Sequence, residues 1–148
     1  MSDERATDED HVRVAFVCVQ NAGRSQMATA FAELERADRG LDEGVEILTG
    51  GTHPADAVHD EVVEVMRPHG FDLTLREPRA ITPEELASCD VVATMGCSTL
   101  ELDADDGVDV RDWDLPDPDG EDLDRVREIR DEVQGRVEAL FDELERDR

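Results

Sequence analysis

Five residues separate Cys18 from Arg24 in the stretch Cys18-Val19-Gln20-Asn21-Ala22-Gly23-Arg24-Ser25. An apolar, β-branched run ends at this loop and a helical pattern begins at Ser25, so the loop joins a strand to a helix. In such a turn successive backbone amides converge on one point, and with the helix N-terminus they favour an anion there. Gly23 admits backbone conformations that other residues resist. Arg24 adds a planar fork of donors matched to a tetrahedral oxyanion. The same positive field favours a thiolate at Cys18, and the hydroxyl of Ser25 can steady it. The residue types therefore describe a cysteine nucleophile, Cys18, aimed at an oxyanion held by Val19, Gln20, Asn21, Ala22, Gly23, Arg24 and Ser25.

The elements that must position this loop follow from hydrophobic periodicity. Val12 to Val19 reads as a buried strand. From Ser25, residues Met27, Ala30, Phe31 and Leu34 share one helical face. Val45 to Leu48 reads as a second strand ending at Gly50-Gly51. Val58, Val62, Val65 and Met66 have helical spacing, closed by Pro68 and Gly70. Thr82-Pro83-Glu84-Glu85 carries a capping box with proline at the first helical position. Asp90 to Gly96 gives a third strand, and Val108 to Trp113 a weaker, edge-like fourth. Finally Leu123, Val126, Ile129, Val133, Val137, Leu140 and Leu144 form one apolar stripe on a helix over 121–147, whose acidic start suits the helix dipole. Alternating strands and helices without an internal repeat predict one α/β domain over 12–148, with an open, mainly parallel four-stranded sheet and helices on both faces. Residues 1–11 read as a disordered acidic tail. Ligands of such sheets bind at the carboxyl ends of the strands. Cys18, Cys97 and Asp117 all fall at or just beyond such ends.

Composition narrows the classes. Forty acidic residues face fifteen basic ones, for a net charge of −25, and every basic residue is arginine. In molar salt the Debye length is about 3 Å, which screens the self-repulsion of such a chain. The acidity is spread along the sequence and reads as adaptation to high intracellular salt. Nucleic acid and anionic membranes are poor partners for it. No apolar run approaches bilayer length, and the acidic opening is unlike a signal peptide, so a cytoplasmic protein is expected. Cys18, Cys89 and Cys97 make neither a disulfide framework nor, with His11, His53, His59 and His69, a zinc pattern. No metal and no cofactor are expected.

The stretch VCVQNAGRSQMA resembles the oxyanion loop of low-molecular-weight protein tyrosine phosphatases and of the arsenate reductases built on that fold. The resemblance to the reductases continues in order through GTHPAD, VHDEVVEVMRPHGFDL, DVVATMGC, RDWDLPDPDG and VREIRDEVQGRVEAL. It implies that Cys18 attacks the pentavalent centre, that Arg24 and the loop amides hold its oxygens, and that the acid before a proline, Asp117, protonates the leaving group. Asp114 is the alternative acid, and Asp112 is expected to face solvent. The resemblance further implies that Cys97, in TMGC, attacks the arsenic adduct to give a Cys18–Cys97 disulfide and arsenite. An external thiol reductant (thioredoxin, a glutaredoxin-like protein or a small thiol) would close the cycle. Two departures leave the resolving thiol open between Cys97, Cys89 and an external thiol. No third cysteine closely follows Cys97, and Gly23 stands where relatives often have cysteine. Some relatives bind potassium through an asparagine and an acidic residue; Asn21 matches, but Thr29 takes the acidic place, so that site is not expected. The alternative function is a phosphomonoesterase of the tyrosine phosphatase type. Its aromatic pocket wall is missing, because the chain has no tyrosine and Asp119-Gly120 follows the Asp-Pro pair; Trp113 could supply one wall or belong to the core.

Overall fold

The computed structural model describes residues 12–41, 43–95, 109–116, 118 and 120–146. The expected acidic tail, Cys97 and Asp117 lie outside the described residues. Four strands form one sheet: β1 (Val12–Cys18), β2 (Val45–Gly51), β3 (Val91–Met95) and β4 (Asp109–Asp112), in the order β2-β1-β3-β4. All three pairings are parallel, as strands separated by long crossovers require. In β1, Val14 to Cys18 are buried, and all five residues of β3 are buried, which explains their nearly continuous apolar sequences. The mostly exposed β4 is the edge strand its polar sequence suggests.

Among the described residues the sheet has a thick face and a thin one. On the thick face, Val14, Phe16 and Cys18 of β1 join the core with α1 (Arg24–Asp38), α2 (Asp60–Met66) and α4 (Leu123–Arg146). Every residue of α1 from Arg24 to Ala32 is buried, so this half-helix lies inside the protein. Ala28, Ala30 and Ala32 give it a slim profile there. On the other face Ala15, Val17 and Val92 pack with Leu86 of α3 (Pro83–Ala87) and with Cys89. The expectation of helices on both faces therefore holds, with one short helix on the second face among the described residues.

Local signals explain where these elements begin. The capping box is present: the amide of Glu85 donates to Thr82 Oγ1 at 3.1 Å, and the amide of Thr82 donates to Glu85 Oε1 at 3.0 Å. Asp122 accepts the amide hydrogen of Arg125 at 2.9 Å, capping α4. The apolar stripe of α4 is buried from Val126 to Leu144, but Leu123 is exposed, because the helix starts there before reaching its neighbours. No helix among the described residues is long and apolar enough to cross a membrane.

Candidate active site

The register of the sheet delivers the thiol. Cys18, last residue of the central strand β1, lies level with Gly51 of β2 and Met95 of β3. It thus sits at the carboxyl edge of the sheet, inside the main core and nearly buried. From there the chain turns through Val19 to Gly23 into α1.

Two sets of hydrogen bonds shape that turn. The outer set takes up its carbonyls. Cys18 O, Val19 O, Gln20 O and Ala22 O accept from the amides of Thr52 (3.3 Å), His53 (2.7 Å), Ala55 (3.0 Å) and His59 (2.9 Å). A segment following β2 thus forms a collar that holds these carbonyls outward. The inner set is centred on Asn21, which is fully buried and has a φ of 54°, a left-handed conformation that asparagine tolerates better than most residues. Its Nδ2 donates to Ser25 Oγ and to Thr49 Oγ1, both at 2.8 Å. Its Oδ1 accepts from Gln26 Nε2 at 3.1 Å and from the Arg79 amide at 3.0 Å. The turn is thus fastened from both sides by the protein's own groups.

Around the thiol, the amide of Asn21 donates to Cys18 Sγ at 3.2 Å, and Ser25 Oγ lies 2.9 Å from the same sulfur. The sulfur thus has an amide donor and a hydroxyl at hydrogen-bonding distance. The amides of Gln20, Ala22 and Gly23 donate to no backbone carbonyl among the described residues, which leaves them available to an anion. Arg24 opens α1 and is buried, with Nη1 donating to Leu115 O at 2.8 Å. The sequence-predicted loop residues Cys18 to Ser25 are therefore brought together in one place.

Other residues named from sequence fall out differently. Cys89 precedes β3, roughly 20 Å along the strand direction from the level of Cys18 at about 3.3 Å per residue. A disulfide needs Cα atoms within about 7 Å, so Cys89 cannot reach Cys18. Burial pushes its thiol up to about 11, and its Sγ donates to Glu85 O at 3.3 Å. Trp113 belongs to the core, its ring 5.9 Å from Phe16. Asp112 and Asp114 are exposed, and Asp112 accepts from Thr94 Oγ1 at 3.3 Å. His53 gives the collar its backbone amide and keeps its side chain exposed. Thr29 donates to Ser25 O at 2.7 Å, supporting the first turn of α1. No group of three or more His, Cys, Asp or Glu side chains among the described residues could hold a metal ion.

Sequence reasoning passed over four supporting residues: Thr49, Gln26, Arg79 and His59. The last pairs its Nε2 with Gln20 Oε1 at 3.0 Å. Of these, only Gln26, next to Ser25, carried a local signal. The others reach the loop from 28 to 58 residues away.

A thiol at the end of a central parallel strand, in a turn whose carbonyls face out and whose next element is a buried helix, defines a cysteine-loop α/β protein of the phosphatase type. The chain belongs to the low molecular weight phosphotyrosine protein phosphatase family, whose model matches residues 13–148. It is 67% identical over 135 residues to a Halobacterium salinarum protein named "Putative arsenate reductase", covering 91% of this chain and 94% of that one. It is 31% identical over 138 residues to the glutaredoxin arsenate reductase of a Synechocystis species, covering 87% and 95%. Among solved structures it is similar to a thioredoxin-dependent arsenate reductase of Corynebacterium glutamicum, with a TM-score of 0.77 and 29% identity over 98% of this chain and 67% of the other.

Proposed function

We propose that the protein reduces arsenate to arsenite with thiol electrons, Cys18 acting as nucleophile. The observation that carries this reading is the setting of the Cys18 sulfur, 3.2 Å from a donating amide and 2.9 Å from a hydroxyl, within an outward-carbonyl turn. Likeness over nearly the whole chain to proteins named arsenate reductases selects the oxyanion. The absence of tyrosine from the chain argues against a pocket for an aryl phosphoester.

In the proposed cycle the Cys18 thiolate attacks arsenic(V). Arg24 and the loop amides hold the remaining oxygens, and the departing oxygen leaves as water with a proton from Asp117. A second thiolate, Cys97 in this reading, then attacks the Cys18 sulfur. An S–S bond forms, the S–As bond breaks, and its electron pair stays on arsenic, which leaves as arsenite. An external thiol returns two electrons to the disulfide. The parts given to Cys97 and Asp117 rest on the sequence motifs. A reducing cytoplasm, where structural disulfides are rare, belongs to the same proposal.

The test is arsenite formation from arsenate in concentrated potassium chloride with excess dithiol, using Cys18→Ser as blank. Arsenite above the blank supports the reading. Without added thiol the reduced wild type should release one equivalent of arsenite, whereas Cys97→Ser should form the adduct and release none. A folded, reduced protein that makes no arsenite but hydrolyses an aryl phosphate, with hydrolysis surviving Cys97→Ser, would make it a phosphatase instead.

A further inference from the structure

Gly23 occupies an unusual spot in the loop. A Cβ at this position would lie 3.0 Å from Cγ and 3.7 Å from Cδ of Pro118, and 3.6 Å from Cδ2 of His59. Pro118 is buried, so its ring rests on the bare Cα of the loop. Three residues earlier the same segment meets the loop again, where Leu115 O accepts from Arg24 Nη1 at 2.8 Å. Leu115 is itself buried. Two residues three apart therefore meet the loop: Pro118 by close packing on Gly23, and Leu115 through the guanidinium. Pro116 and Pro118 each carry a ring-fixed φ, so a short, proline-stiffened link ties the two contacts.

We propose that the missing side chain at Gly23 is a positioning device for Arg24: it lets Pro118 settle on the loop, and the seated segment then presents the Leu115 carbonyl that aims the guanidinium. Gly23 thus acts through Arg24, in addition to offering its amide to the anion. The proposal rests on the reading of the loop as an oxyanion site. A methyl group at position 23 forces Pro118 outward by a few tenths of an ångström. The carbonyl of Leu115 moves with it, and the fork of Arg24 turns away from the anion.

The experiment measures the dissociation constant of inorganic phosphate by calorimetry in molar potassium chloride. It compares wild type, Gly23→Ala, Pro118→Ala and the double variant, with thermal unfolding of each. Misplacement by about 1 Å costs on the order of 100-fold in such sites, so a shift of a few tenths predicts a loss of about fourfold in Gly23→Ala. Removing the proline ring makes room for the methyl, so Gly23→Ala should add little further loss in the Pro118→Ala background. That non-additivity is what a purely local loop defect would not produce. Should Gly23→Ala fail to fold alone, recovery of folding in the double variant supports the same contact. Wild-type affinity in Gly23→Ala, an equal loss with and without the ring, or a double variant that also fails to fold overturns the proposal. A wild-type protein that binds no phosphate and makes no arsenite overturns the functional reading, and this proposal with it.

Discussion

Substituting Gly51 by alanine strikes the loop from beneath, at the end of β2. Gly51 lies level with Cys18, and its amide donates to Arg79 O at 2.9 Å. A Cβ built there would sit 2.5 Å from Val19 O, 2.9 Å from the Asn21 nitrogen and 3.0 Å from Cys18 O. All three are backbone atoms of the loop, so no side chain can swing aside. Carbon prefers a separation of about 3.5 Å, so the closest contact requires roughly 1 Å of relief. Shared between strand and loop, that moves the anion site by about half an ångström. If 1 Å costs on the order of 100-fold, the loss in kcat/KM for arsenate should be about tenfold. Overpacking of this kind also costs about 1–3 kcal/mol of stability. The assay is arsenite formation at saturating dithiol beside thermal unfolding. Gly135→Ala serves as the control: it is exposed on α4 with nothing within 4 Å of its added methyl. That variant should gain about 0.5–1 kcal/mol from helix propensity and keep wild-type kinetics. Unaltered arsenate kinetics in Gly51→Ala would refute the claim that this contact fixes the loop.

Burial raises the Cys89 thiol from 9.0 to about 11, so the folded state keeps a proton that the unfolded chain has lost above pH 9. Unfolding free energy should fall between pH 9 and 11, by up to about 3 kcal/mol, and Cys89→Ala should flatten that limb. Neither lysine nor tyrosine is present to titrate in the same window, and an unchanged slope in the variant would refute the assignment. The net charge of −25 predicts that dilution from molar salt into low-salt buffer lowers the melting temperature and activity together. Full stability in dilute buffer would contradict the reading of the acidity as salt adaptation.

The sheet was legible in the sequence because its central strands are buried on both faces and read as continuous apolar runs. α3 announced itself through Thr82, Pro83 and Glu85, whose capping chemistry is local. The loop was legible for the same reason: Cys18, Arg24 and Ser25 lie within eight consecutive residues. What remained hidden is what is distant in sequence. Thr49 and Arg79 reach Asn21, and His59 reaches Gln20, only after the sheet has formed, and no periodicity encodes those meetings. Leu123 matched the helical stripe but lies exposed at the start of α4, since periodicity marks a face without saying how far the opposing surface extends. The solvent-facing expectation for Asp112 agrees with its exposure, whereas Cys89, left open as a resolving thiol, lies too far along the sheet from Cys18 to serve.

The collar has a consequence for how the site behaves over time. Amides of Thr52, His53, Ala55 and His59 are each committed to a carbonyl of the loop, so their hydrogens can exchange with deuterium only when the two segments part. The exchange rates of these four hydrogens therefore clock the opening of the site in the ligand-free protein. Because a neighbouring stretch of chain holds the turn in shape, its ordering entropy is spent at folding and not at each encounter with an anion. Mutations in the collar, none of which need touch the substrate, would loosen the cup before they altered its chemistry.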